Sequence, residues 1–169
     1  MRKIFFLIKH ASWFTRIVAL LALAVAIVSI STVYAGSQTA MDTPVTQLPV
    51  VTTFVEGDDL KDIEDEFGTK TLNEIKETIA EEADEEVVAV VDTIFKAISI
   101  YATVIIVVLA LATVFMKKGL MIFGFILSLP YSFLFVGMNA ITTMGAALVV
   151  YFILMTIVNK KYKAYKRSK

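Results

Sequence analysis

The sequence predicts an all-α integral membrane protein with four transmembrane helices and an extracytoplasmic acidic helical hairpin between the first and the second. Of its 169 residues, 57% are hydrophobic, which exceeds the share of about 45–50% found in soluble domains. All sixteen acidic residues and only four lysines lie within residues 37–96, so that segment has a net charge of −12 and the remainder has +12. Such separation of charge is typical of a membrane protein whose loops face opposite sides.

The N-terminal segment, residues 1–16, contains four basic residues and no acid, which is typical of a cytoplasmic flank. Two interpretations stay open for it. It is either a short basic helix at the membrane interface, with Trp13 at headgroup depth, or a positively charged leader. Residues 17–35 carry no charge and are long enough to form the first transmembrane helix. Small residues before Gly36 also allow a signal peptide that is cleaved there.

Residues 36–57 are predicted to be an extracytoplasmic linker. Pro44 and Pro49 lie among Ser, Thr and Gln residues, and proline removes a backbone donor and disfavours helix before it. We expect an extended spacer with one short strand around residues 50–55.

Residues 58–96 are predicted to be an extracytoplasmic acidic helical segment. A first helix should end at Gly68, and a second should start at Thr71, because Thr71 and Glu74 fit a capping box. No helix breaker follows before Met116, so a continuous helix of about 67 Å is expected from Leu72 onward.

The second helix has apolar residues on one face at a spacing of about 3.7 residues, close to the repeat of a straight helix. We expect this stripe to pack on a partner protein, with neighbouring glutamates at its edge. The candidate partner-binding residues are Leu72, Ile75, Ile79, Ala83, Val87, Val90, Ile94, Glu81, Glu82, Glu85 and Glu86.

Three further spans are predicted at residues 97–116, 119–137 and 140–158, followed by a basic cytoplasmic tail at residues 159–169. The turns between these spans are short, so the spans should run antiparallel. Basic residues cluster before the first span, between the second and third, and in the tail. The positive-inside rule then predicts a multi-pass plasma membrane protein with both termini in the cytoplasm and residues 36–96 outside.

The third span offers candidate helix-packing or kink residues, namely Gly124, Ser128, Pro130 and Ser132. Small residues four apart let helices approach closely, and proline bends a helix. The alternative is that these hydroxyl groups line a conduction path.

The chain has no cysteine and only one histidine, His10, and its span interiors carry no ionisable carboxylate, lysine, arginine or histidine. Thiolate sites, His-based triads and proton-coupled exchange through an intramembrane charge are therefore disfavoured. No phosphate-binding or hydrolase motif is present. We expect no enzymatic activity, no cofactor, no resident metal and no nucleic-acid partner.

The acidic clusters have three interpretations: a solvated helix face, a weak site for a divalent cation, or a surface for a basic partner. The basic tail either fixes orientation or also binds anionic membrane lipid.

The order of the spans resembles that of tetraspan membrane proteins in architecture only, because the cysteines of claudin and tetraspanin outer loops are missing. The sequence favours an accessory, regulatory or immunity-type subunit that binds a membrane-protein partner through the acidic outer helix or the span faces. The alternative is a small homo-oligomeric channel or exporter with a hydroxyl-lined pore around the third span.

Overall fold

A computed structural model describes residues 2–168, and within that range there are helices and no β-strand. The α-helices are α1 (Arg2–Lys9), α2 (Trp13–Met41), α3 (Pro49–Phe54), α4 (Asp58–Phe67), α5 (Leu72–Glu82), α6 (Glu85–Val114), α7 (Lys118–Tyr131) and α8 (Met138–Arg167). A 3-10 turn, Val45–Gln47, precedes α3, and a π-helical segment, Ser132–Val136, continues α7.

Four helices in the described range are long and apolar enough to cross a membrane: α2, α6, α7 with its π-helical segment, and α8. This confirms the four predicted spans. Helices α2, α6 and α8 contain 29, 30 and 30 residues, or about 45 Å each, which exceeds the hydrocarbon thickness of about 30 Å. Helices α2 and α8 extend past the predicted limits at both ends, and α6 begins before residue 97, in the segment already predicted to be helical.

Helix α2 is the central element of the bundle. It packs most extensively on α8 and also contacts α6, while α7 packs mainly on α6. Buried alanines such as Ala22 and Ala26 face the core, and small side chains let the helix backbones approach closely. Larger side chains, including Ile105 and Tyr151, fill the remaining interior.

The basic ends of the chain meet at one end of the bundle. The Phe6 ring of α1 lies 5.5 Å from the Tyr162 ring near the end of α8, and His10 stacks on Tyr165 at 4.8 Å. Lys3 Nζ donates to the carbonyl of Met116, in the turn between α6 and α7, at 3.3 Å. The short N-terminal helix, α1, is therefore packed on the bundle.

Residues 36–57 differ from the predicted extended spacer. Helix α2 continues to Met41, and the expected strand around residues 50–55 is instead helix α3. Pro49 occupies the first turn of α3, where its fixed φ and missing N–H are tolerated. Leu48 and Val51 are buried together with Ala40. The spacing of these apolar residues favours one turn of helix packed on the end of the bundle over an extended chain.

The expected continuous helix from Leu72 to Met116 is also wrong, because the chain breaks after Glu82. Ala83 has extended backbone angles, with φ −98° and ψ 159°, and Asp84 is the N-cap of α6. An unbroken helix would place four glutamates in like-charged i, i+4 pairs, which are destabilising. Starting a new helix at Asp84 instead puts Glu85 and Glu86 in a first turn, where the helix dipole favours acids.

Candidate functional site

The predicted partner stripe is divided by this break. Its first half, Leu72, Ile75, Ile79 and Ala83, is partly buried, and α5 packs along α6. In the second half, Val87, Val90 and Ile94 are 49%, 58% and 52% exposed. The structure therefore does not bring the whole stripe together as one surface. Three exposed apolar residues on α6 remain available to another molecule, and we call them the outer α6 face.

Lys76 holds α5 against α6. Its Nζ lies 3.3 Å from Asp92 Oδ1 and 5.5 Å from the centroid of the Phe95 ring, within the range of a cation–π contact. Lys96 Nζ lies 2.5 Å from the other oxygen of Asp92. Hydrogen bonds from Lys96 and then from Lys76 hold the pKa of the Asp92 carboxyl below its ordinary value. Since these contacts position α5 on one side of α6, they leave the outer α6 face uncovered.

The glutamates beside the break are solvent-facing. Glu81, Glu82, Glu85 and Glu86 are all exposed, and none of them takes part in the ion pairs found among the described residues. No group of three or more acidic or histidine side chains in residues 2–168 converges in the way a metal site requires. The arrangement is a negatively charged margin next to an apolar face.

Helix α4, which carries the other acidic cluster, packs mainly on the 3-10 turn, whereas α5 packs mainly on α6 and α2. Leu60 and Ile63 of α4 and Leu72 of α5 pack against the same buried residues, Ala40, Leu48 and Val51. The predicted capping box at the start of α5 is confirmed, because Thr71 Oγ1 accepts from Glu74 N at 3.2 Å and Glu74 Oε2 accepts from Thr71 N at 2.7 Å. Gly68 ends α4 with a positive φ of 54°, as expected of a glycine at that position.

The third-span candidates lie mostly inside the bundle. Ser128 and Ser132 are buried, and Ser128 Oγ donates to the Phe125 carbonyl at 2.7 Å. Gly124 lies directly against Leu109 of α6. Pro130 is exposed, and the π-helical segment begins two residues after it. The structure therefore places Gly124, Ser128 and Ser132 at interior positions, away from the outward surface of α7.

A polar cavity of about 290 Å³ between α2, α6 and α7 contains residues that the sequence did not single out. Its hydroxyl and amide groups come from Tyr34, Ser37, Gln38, Ser99, Thr103 and Tyr131. The Ser37 hydroxyl donates to the Tyr34 carbonyl at 2.7 Å and the Thr103 hydroxyl to the Ser99 carbonyl at 2.8 Å. The sequence signal for this cavity was the i, i+4 pair Ser99 and Thr103 within a mostly apolar span. The uncharged lining of the cavity can hold water or a neutral polar group.

A second cavity, of about 380 Å³, lies at the basic end between α1, α2, α6 and α8. Its walls are almost entirely apolar, and Arg16 is the one charged residue among the described residues that line it. Sequence reasoning treated Arg16 only as a topology signal.

These features define the class of the molecule as a multi-pass α-helical membrane protein. Comparison with protein-family models, curated proteins and solved structures finds no match to this chain.

Proposed function

We propose that this chain is an accessory or regulatory subunit of a membrane complex and that it binds a partner membrane protein through the outer α6 face. The observation that carries the proposal is the exposure of Val87, Val90 and Ile94 on the part of α6 that precedes the predicted span at residues 97–116. At about 45 Å, α6 is longer than the hydrocarbon core is thick, so about one third of it projects beyond the lipid.

Burial of these three side chains provides the affinity. Fully burying a Val or Ile side chain contributes about 1.5–3 kcal/mol. Each of the three is about half exposed, so a close-fitting partner would gain roughly 2–4 kcal/mol from them together.

The charge of the margin defines the partner's chemistry. Glu81, Glu82, Glu85 and Glu86 favour a partner with lysines or arginines beside an apolar helix, since complementary charge speeds association and excludes wrong partners. A second copy of this chain would bring a second set of glutamates to the same place. Repulsion between the two sets disfavours self-association through this face.

The proposed orientation puts this acidic helical segment outside the plasma membrane and both termini in the cytoplasm. Helix α1, the α6–α7 turn and the end of α8, whose sequences are all basic, meet at one end of the bundle, and basic flanks are retained in the cytoplasm. The acidic residues of α4, α5 and α6 then face the outside.

The buried hydroxyl groups of the third span favour the subunit proposal over the channel. Ser128 and Ser132 face the interior of a single chain. A pore formed between several copies around Pro130 would have to expose these hydroxyl groups by repacking α7, and repacking a filled core is costly.

The test is purification of the tagged protein from native membranes in mild detergent, with the mass and identity of bound proteins measured. We expect a stoichiometric second protein. Binding of this second protein should be lost when Val87, Val90 and Ile94 are all changed to Ser. Binding should be weakened when the four glutamates beside the outer α6 face are changed to Gln.

The matched control neutralises four acids on α4, Asp58, Asp59, Asp62 and Asp65, by conversion to Asn. It changes the net charge equally but lies away from the outer α6 face, so binding should persist. Recovery of copies of the chain alone, or equal loss in the control, would contradict the proposal.

A further inference from the structure

We propose that the cavity at the basic end binds one acyl chain of an anionic phospholipid, whose phosphate is held by Arg16. This site is separate from the outer α6 face, which lies toward the opposite end of the bundle, and it does not depend on the proposed partner.

The shape of the cavity fits an acyl chain. Its volume of about 380 Å³ falls within the range of about 300–1,000 Å³ usual for ligand pockets. Ala19 and Ala22 of α2 leave the space that longer side chains would fill, and Leu7 of α1 and Met155 of α8 form other walls. Leu20 and Leu23, which also line it, are exposed on the lipid-facing surface. A membrane lipid can therefore enter from the side.

Arg16 supplies the recognition of charge. One of its terminal nitrogens donates to the Ile8 carbonyl, near the end of α1, at 2.8 Å. This bond fixes the guanidinium beside the cavity and uses one of its five N–H groups. The remaining donors suit the oxygens of a phosphate, which arginine binds in a bidentate manner.

The surroundings favour an anionic lipid over a zwitterionic one. Residues 1–41 contain no acid, and Lys117 and Lys118 lie in the adjacent turn. Burial, and then the charges of these two lysines, lower the pKa of Lys3 at the same end of the bundle. Each basic residue near a membrane surface attracts anionic lipid, so a phosphate at this end would relieve the mutual repulsion.

The test uses native mass spectrometry of the full chain, after reconstitution with equal amounts of phosphatidylglycerol and phosphatidylcholine. The protein should retain one phosphatidylglycerol per chain. Arg16→Gln should reduce this preference about fivefold, because it removes one positive charge that attracts the net-anionic lipid and repels the choline group of phosphatidylcholine, and Arg16→Lys should retain part of it. Ala19→Leu should reduce the retention of both lipids by filling the cavity.

The matched controls are Lys61→Gln, on α4 in the acidic segment, and Ala146→Leu, on an exposed face of α8. Both should leave lipid retention unchanged. Circular dichroism would check that each variant folds, and the two Arg16 variants decide the matter if Ala19→Leu does not fold. Equal retention of the two lipids by the unmodified protein would overturn the proposal, as would unchanged preference in Arg16→Gln.

Discussion

Replacing Gly124 by alanine should weaken the packing of α7 on α6. A Cβ added at Gly124 would lie 2.6 Å from Leu109 Cδ2 and 3.0 Å from Leu109 Cγ. Leu109 is itself buried at 1% exposure, so its side chain has little room to move away. One of the two helices must therefore shift.

The magnitude follows from two opposing effects. Overpacking a filled core costs about 1–3 kcal/mol, whereas Gly→Ala inside a helix stabilises by about 0.5–1 kcal/mol. The matched control is Gly145→Ala on α8, where the added Cβ would lie 3.8 Å from Phe125 Cζ, an ordinary contact. Both variants gain helix propensity, so the free energies of unfolding of the two should differ by about the overpacking cost of 1–3 kcal/mol.

The assay is unfolding of the protein in dodecyl maltoside micelles by added sodium dodecyl sulfate, followed by far-ultraviolet circular dichroism. We expect Gly145→Ala to unfold at the same detergent fraction as the unmodified protein or a higher one, and Gly124→Ala at a lower one. If Gly124→Ala is as stable as Gly145→Ala, the close contact with Leu109 does not exist in the protein and the packing described here is wrong.

Four further predictions concern the acidic segment and the first span. Spin labels at Glu77→Cys and Thr93→Cys, in a chain without native cysteine, should show strong dipolar coupling in electron paramagnetic resonance spectra. A continuous helix would separate the two labels by about 24 Å. Weak coupling would therefore support the continuous helix and contradict the break after Glu82. The coupling between the two labels should weaken in acid. The pKa of Asp92 is lowered on folding, so its ion pairs stabilise the folded arrangement above the unfolded pKa of about 3.9. This stabilisation is lost as the pH falls through the lower pKa of the folded state. Asp92→Asn should weaken the coupling at neutral pH, and coupling that this change leaves unaltered would show that the Asp92 ion pairs do not position α5. Finally, intact-mass measurement should find α2 retained in the purified protein, since removing residues 1–35 would expose the face of α8 that α2 covers; a mass lacking those residues would contradict this.

The spans could be predicted from the sequence because each is an apolar run of sufficient length, and lipid leaves the backbone of such a run no alternative to helix. The capping box at Thr71 was equally readable, because both of its partners are local. These signals do not depend on where the rest of the chain lies.

The periodicity of apolar residues alone could not distinguish a helix break at Asp84 from a continuous helix. The apolar spacing continues across it, from Ala83 to Val87, although Asp84 followed by Glu85 and Glu86 is also a helix-start pattern. Local charge repulsion and the packing of α5 on α6 decide between the two. That decision determines which half of the stripe is exposed.

The cavities could not be predicted for a different reason. Arg16 and Met155 line one space only because α2 and α8 pack side by side. The sequence does not show which helices are neighbours. It also does not show where the small side chains of two alanines leave space between helices unfilled. Packing between distant elements creates these sites.

The most direct test of the partner proposal is photo-crosslinking in native membranes from an unnatural residue at Val90. The control is the same residue at Ile153, which is exposed on α8 within a predicted span. We predict one adduct with a second membrane protein from position 90 and none from position 153. Adducts with copies of this chain alone, or with no protein at all, would contradict the claim that the outer α6 face binds a partner.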